Sequence, residues 1–308
     1  MARVLIHDCD PGLDDAAALL MALGARDRLA VAAVTAVAGN VPLAATFKNA
    51  RRLLALAGRE DVACHAGCER ALMTAPLFAE QVHGADGIGG VALPAPAGPA
   101  SRTHAVSAIV DRCRAAAEKR EKLTLVVTGP MTNIAAALIL APDLLDGVDE
   151  VVFMGGVVAQ SGNVTPFAEF NFAVDPHAAA IVLERVQGRR PVVMMGLDVT
   201  RQVPLSAARL AAIREIGSAP ALALAAMLHA YRDEDGAPRV LHDPCTIAYL
   251  LAPELFTFEP ATLGVETRRP DEAGRSLAAW DPAGPARVAT AVDDEGFYRV
   301  LTDCIAAL

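Results

Sequence analysis

Aromatic residues are scarce in this 308-residue chain: one Trp, three Tyr and nine Phe make up 4% of it. Lysine is scarcer still, with Lys48, Lys119 and Lys122 the three among 27 basic residues. The excess of arginine looks like genome composition and carries no functional reading. Net charge is −9 and no basic stripe appears, which argues against nucleic acid and anionic membranes as partners. No stretch of ~20 apolar residues runs free of charge or helix punctuation, so no membrane span is expected. The amino terminus reaches His7-Asp8 too soon for a signal peptide. Six cysteines are scattered without CxxC spacing, the pattern of reduced thiols in a cytoplasmic protein. No Ser/Gly-rich linker or internal repeat divides the chain, and Pro94–Pro99 reads as a surface loop. A single domain spanning 1–308 is expected, long enough to bury a full core.

What is present alternates. Strand-like runs at Val4–Ile6, Leu29–Val37, Leu123–Val127, Val151–Met154 and Pro191–Leu197 are separated by helix-like stretches. Those stretches are Asp14–Ala25, Pro42–Ala57, Val106–Lys119, Asn133–Leu140 and Pro176–Val186. This predicts an α/β fold, a mostly parallel open sheet with helices on both faces. The C-terminal third predicts extra helices near Leu205–Tyr231, Asp243–Leu251 and Asp294–Ala307. Short strands are expected there near Thr257–Thr267 and Arg287–Val292.

Four aspartates, Asp8, Asp10, Asp14 and Asp15, crowd into eight residues where the first strand turns through Pro11-Gly12 into a helix. An Asp in the first turn of a helix is a common cap and suits the helix dipole. That accounts for Asp14 or Asp15. It leaves Asp8 and Asp10, two apart at the carboxyl end of a strand, where open α/β sheets bind ligands. A hard cation held by oxygen is the natural neutraliser, Ca²⁺ or Mg²⁺ rather than Zn²⁺.

Polar residues follow the other strands too: Ala38-Gly39-Asn40, Thr128-Gly129-Pro130-Met131-Thr132-Asn133 and Gly155-Gly156. Each alone reads as a turn. Together they predict one polar crevice along a sheet edge. Glu169-Phe170-Asn171 sits in a long loop, Val157–Ala173, with Asn163. A Glu and an Asn flanking an apolar residue suit neighbouring sugar hydroxyls, and Asp175-Pro176 reads as a plain helix cap. In His242-Asp243-Pro244, Asp243 is either a cap or a ligand from elsewhere in the fold, and His242 offers a group that carries a proton near neutral pH. The glycine-rich run from His83 to Gly90 lacks the setting of a phosphate loop and reads as a mobile active-site loop carrying His83. Tyr231 either lines the same pocket or is a core tyrosine.

These motifs, in this order, resemble the inosine–uridine type nucleoside hydrolases along nearly the whole chain. The resemblance implies a Rossmann-like fold and Ca²⁺ held by Asp10, Asp15, Asp243 and the main-chain carbonyl of Thr128. It further implies ribose contacts from Asp14, Asn40, Asn163, Glu169 and Asn171, with Met154 as a pocket wall. Asp10 would be general base to a metal-bound water. His242 matches the leaving-group acid of purine-accepting members, and His83 with Tyr231 is reminiscent of pyrimidine-preferring ones. The substrate would be a ribonucleoside, and the family is usually dimeric or tetrameric. Leu13 stands where some members have histidine, which bears on substrate tuning. The segments Ala75–Gly90 and Ala226–Leu241 would shape the base pocket.

The chemistry suits these residues. Cleavage of an N-glycosidic bond develops positive charge on the ribose, which a carboxylate-rich pocket stabilises. Two other readings compete. A Mg²⁺ phosphatase of haloacid-dehalogenase type would use Asp8 or Asp10 as nucleophile, but Pro11 follows Asp10 and no lysine is suitably placed. A non-catalytic nucleoside binder would be expected to lose Asp10 or His242, and both are present.

Overall fold

The computed structural model describes residues 2–231 and 239–308. The segment 232–238, part of the Ala226–Leu241 stretch expected to shape the base pocket, lies outside the described residues.

Strand β1 (Arg3–Cys9) is buried from Leu5 onward. It is flanked in parallel by β2 (Leu29–Ala36) and β4 (Leu123–Val127). A strand covered on both faces must be apolar along its length, which is why Val4-Leu5-Ile6 reads as a continuous run rather than an alternation. The edge beyond β2 is β3 (Ala63–Ala66); on the other side follow β5 (Val148–Met154) and β6 (Val192–Met195). Beyond β6 the sheet becomes mixed. β9 (Ala286–Val292) continues it in parallel, while β7 (Phe256–Val265) and β8 (Ser276–Trp280) add antiparallel strands. Among the described residues the order is β3-β2-β1-β4-β5-β6-β9-β7-β8. The expected α/β class with a mostly parallel sheet is what forms.

Two apolar layers sandwich the sheet. One packs Leu5, Cys9, Val126 and Val152 against the helix Leu13–Gly24 and the C-terminal helices. The other packs Ile6, Leu125, Val127 and Phe153 against the helices Ala105–Glu118, Thr132–Leu140 and Pro176–Val186. The helix Leu13–Gly24 is buried at every residue, because helices Pro244–Leu251 and Asp294–Ala306 cover it from outside. Its alanines and Gly24 allow that approach: a Cβ on Gly24 would stand 2.0 Å from the Cys304 carbonyl. Among the described residues, no helix is long and apolar enough to cross a membrane.

Several expectations need correction. The stretch Leu205–Tyr231 is two helices, Ala207–Glu215 and Ala219–Ala230. Gly217, at a φ of 77°, breaks it, and Ser218 restarts it by accepting a hydrogen bond from Ala221 N. The loop Val157–Ala173 is not wholly irregular, since Phe170–Val174 forms a short helix capped by Glu169. Strands β3 and β8 were not expected: β3 has only four residues, Ala-Cys-His-Ala, and neither run shows a strong apolar pattern.

Asp175 behaves as the cap it was read to be. Its Oδ1 accepts from Ala178 N (3.0 Å), while Oδ2 accepts from Leu72 N (2.8 Å) and Thr132 Oγ1 (2.7 Å). Replacing it removes a cap and leaves two buried donors unpaired. We expect Asp175→Ala to cost about 2–4 kcal/mol, read as a lowered urea midpoint at unchanged slope. A change within a few tenths would overturn this account.

Candidate active site

The carboxyl ends of β1, β2, β4, β5 and β6 lie along one edge, and the loops leaving them build one cleft. The cleft is open to solvent, with about 590 Å³ of empty space between and above its walls. Its walls carry Asp14, Asn40, His83, Thr128, Met154, Asn163, Glu169, Asn171, Tyr231, His242 and Asp243, eleven residues singled out from the sequence. Asp10 and Asp15 lie beneath, buried at 1% and 0% exposure. Gln81 and Val82, in the segment expected to shape the base pocket, also line it, as do Val164 and Phe170 of the loop after β5. The sequence pointed to these segments but not to the individual side chains, which carry no charge or motif spacing of their own. Among the described residues, no lysine or arginine lines the cleft.

The opening turn organises the floor. The helix Leu13–Gly24 has Gly12, not an aspartate, at its N-cap. Asp15, three residues on, reaches back to accept from Gly12 N (3.1 Å) and Asp10 N (3.3 Å). Asn40 Nδ2 (2.9 Å) and Thr128 Oγ1 (2.9 Å) also donate to it. Thr128 in turn meets His7 Nε2 at 3.2 Å. Asp15 therefore ties three strand ends together. Asp8 serves the opposite side of the sheet: its Oδ1 accepts from Thr35 Oγ1 (2.5 Å) and Asn133 Nδ2 (2.8 Å). It is a strut between β1, β2 and the helix Thr132–Leu140. Thr35, Asn133 and His7 were not expected in these roles, since their meaning depends on which strands become neighbours.

Asp10 is held from both sides by backbone. Asn40 N donates to its Oδ2 (2.7 Å), while its Oδ1 is buried without a partner. Gly39 and Gly129 leave the room: a Cβ on Gly39 would stand 2.0 Å from Asp10 Oδ2, and one on Gly129 2.7 Å from Oδ1.

Asp243 does not serve as a side-chain cap. It stands at the N-cap position of the helix Pro244–Leu251, yet its side chain makes no capping bond. Its carboxylate turns to Asp14 and Asp15 instead, and oxygens of these three lie within 4.8 Å of one another. The tightest triple thus contains Asp14, with Asp10 adjoining it. Such a group cannot be fully ionised in isolation. Burial, then the charge of Asp15, raises Asp10 well above the ordinary carboxylate range. Burial, then Asp14, Asp15 and Asp10, does the same to Asp243. Asp14 is pushed up to about 7 by burial and Asp15, against the amides of His242 and Asp243. Burial also raises Asp15. Burial is the first cause of each of these shifts, and neighbouring carboxylates add to those of Asp10, Asp14 and Asp243. The oxygen donors, including the orphaned Asp10 Oδ1, fit a hard divalent cation.

A second wall of the cleft comes from the β5 loop. Glu169 accepts from Asn171 N (2.9 Å), Gly156 N (2.9 Å) and Phe172 N (3.3 Å), so it caps a helix and faces the cleft at once. Burial lifts it to about 7. Asn171 Nδ2 donates to the carbonyls of Thr128 (2.8 Å) and Met154 (3.2 Å). Asn163 stands exposed at the rim.

Two histidines close the other wall. His83 Nδ1 accepts from Leu13 N (3.1 Å), so its proton is on Nε2, and its ring stacks on Tyr231 at 5.9 Å. Burial, then His242, depresses it to about 3. Its loop is tied down rather than free: Asp86 accepts from Ile88 N and Gly90 N, and Asn49 Nδ2 donates to the carbonyls of Asp86 and Pro11. His242 Nδ1 lies 2.8 Å from Thr200 Oγ1, and burial, then Arg201, lowers it to about 4.

Known proteins resemble this chain in sequence and fold. The sequence profile of the inosine-uridine preferring nucleoside hydrolases matches residues 5–299. A pyrimidine-specific ribonucleoside hydrolase, RihA of Salmonella gallinarum, is 40% identical over 98% of both chains. Among solved structures, a purine-preferring ribonucleoside hydrolase from Gardnerella vaginalis is 31% identical, covers 99% of this chain and 98% of its own, and superposes with a TM-score of 0.90. A plant nucleoside hydrolase, PpNRh1, is 30% identical over the whole of both chains, also at 0.90. Fold and relatives together define a hydrolase of N-glycosyl bonds acting on ribonucleosides. The chain belongs to the inosine-uridine preferring nucleoside hydrolase family.

The glycine shelf around Asp10 yields a direct test. We expect Gly39→Ala to displace the Asp10 carboxylate, weakening divalent-cation binding at least about tenfold, as for disturbed ligand support, with the fold retained. Calorimetric titration with Ca²⁺ beside a circular dichroism spectrum checks it; unchanged affinity would refute the tight fit.

Proposed function

We propose that the chain is a Ca²⁺-dependent ribonucleoside hydrolase in which Asp10 is the general base and His242 the leaving-group acid. The observation that carries the reading is the buried acidic group beneath the cleft: Asp14, Asp15 and Asp243 within 4.8 Å, and Asp10 beside them with an unpartnered oxygen. Asp10, Asp15, Asp243 and the Thr128 carbonyl would hold the ion. When bound, it neutralises the carboxylates, orients sugar hydroxyls and makes a nearby water more acidic. An all-oxygen donor set of carboxylates and carbonyl suits Ca²⁺.

This chain's own residues do the rest. Asp10, fixed by Asn40 N and walled by Gly39 and Gly129, accepts the proton of the attacking water at Oδ1, the oxygen left without a partner. Asp14, Asn40, Asn163, Glu169 and Asn171 hold the ribose through its hydroxyls, and Met154 walls its apolar side. The surrounding negative charge favours the positive charge that grows on the sugar ring as the bond to the base breaks. His242 protonates the departing base, a contribution of ~10²–10⁴-fold. It is neutral at rest, and the negative charge growing on the base raises its affinity for the proton. His83, with its proton on Nε2, offers the base a hydrogen-bond donor, and Tyr231 stacks behind it. The same reading makes the enzyme cytoplasmic and a homodimer or homotetramer, resting on the family resemblance and on its free cysteines.

Incubation with inosine, uridine and cytidine in phosphate-free buffer is expected to release free ribose. No ribose from any of the three would sink the proposal. Chelation should abolish turnover and added Ca²⁺ restore it; full activity after exhaustive chelation would remove the ion. We expect Asp10→Asn to lower kcat at least about 10²-fold, and a near-normal kcat would remove Asp10 as base.

A further inference from the structure

Thr200 has no part in the roles assigned so far. It is fully buried, and it ends the one-turn helix Leu197–Thr200 directly after β6. Its hydroxyl lies 2.8 Å from His242 Nδ1, across 42 residues of sequence. The mount for that hydroxyl is braced on the loop after β5. Leu197 N donates to the Gly156 carbonyl (2.9 Å), and Asp198 accepts from Val158 N (2.7 Å) and Ala159 N (2.8 Å). A helix of this length has no stability of its own, so these bonds decide where Thr200 sits.

We propose that Thr200 is a positioning residue for His242, holding Nδ1 so that Nε2 is the ring nitrogen presented to the cleft. The proposal rests on the reading of His242 as leaving-group acid. A hydroxyl suits the task because it both accepts and donates. It accepts from Nδ1–H when the ring is charged, and again after the ring has given up its Nε2 proton. The ring, neutral at rest, first takes a proton from solvent on Nε2; then the carbon–nitrogen bond of the nucleoside breaks, its electron pair goes to the base nitrogen, and the Nε2 proton joins that nitrogen. The ring returns to neutral without turning. An apolar residue at position 200 would fill the space and leave Nδ1 unpaired in a buried site, freeing the ring to rotate.

The test pairs two variants with two kinds of leaving group. Thr200→Val keeps the shape and removes the hydroxyl; Thr200→Ser keeps the hydroxyl. On inosine and uridine we expect Thr200→Val to lower kcat about tenfold or more, as misplacing a catalytic group does, with Thr200→Ser close to wild type. On 4-nitrophenyl riboside, whose leaving group needs no proton, both variants should retain wild-type turnover, which also shows that they fold. Equal losses on both kinds of substrate, no loss from Thr200→Val, or failure of serine to rescue would each overturn the proposal. His242→Ala, assayed alongside, separates the two layers. If it also fails to discriminate the substrates, the acid reading falls and Thr200's role with it. If it discriminates and Thr200→Val does not, only the positioning role falls.

Discussion

Repulsion among buried carboxylates is the constraint around which this molecule is arranged. Asp10, Asp14, Asp15 and Asp243 are each less than 5% exposed, and at such depth like charges interact far more strongly than in water. The fold meets part of that cost with hydrogen bonds. Asp15 is surrounded by four donors, Asp10 is held by a backbone amide, and the first helix turns its amino end towards the cluster. The remainder is left for a ligand to offset. Apolar packing buries the helix Leu13–Gly24 on all sides and holds Asp14 and Asp15 at the floor of the cleft.

Much of this was legible in the sequence, for identifiable reasons. A parallel sheet buried on both faces writes itself as apolar runs, and β1, β2, β4, β5 and β6 were each visible as one. The acidic turn stood out because four like charges in eight residues have few structural explanations. The strand-end rule then brought Asn40, Thr128 and Glu169 to the same edge. The partition of labour within the cluster was less visible. An aspartate at the start of a helix suggests a cap, but Gly12 holds that position and Asp15 folds back from the third residue. Asp243 has the sequence of a cap and the position of one, and still points elsewhere. Only the proximity of two helix starts distant in sequence makes that possible.

What stayed hidden was contact that sequence spacing cannot carry. Thr35, Asn133 and His7 matter through neighbours on other strands, and Thr200 through a histidine 42 residues away. The same holds for the loop after His83. Its glycines suggested freedom, whereas Asn49 and Asp86 pin it against the acidic turn. The short strands β3 and β8 escaped notice because they pair at the margins of the sheet, where little burial is needed to hold them.

The floor and the rim of the cleft are built from different materials. Around Asp10 the walls are backbone, with Gly39 and Gly129 too close for even a methyl group. At the mouth they are ordinary side chains on short segments: Gln81, Val82, Val164 and Phe170. Room for substitution is therefore uneven across the pocket. Beside Asp10 an added methyl group has no space, whereas the side chains at the mouth can change at little cost to the backbone. A scaffold divided in this way can diversify its choice of base while its chemistry stays fixed, and related chains do bear both pyrimidine-specific and purine-preferring names.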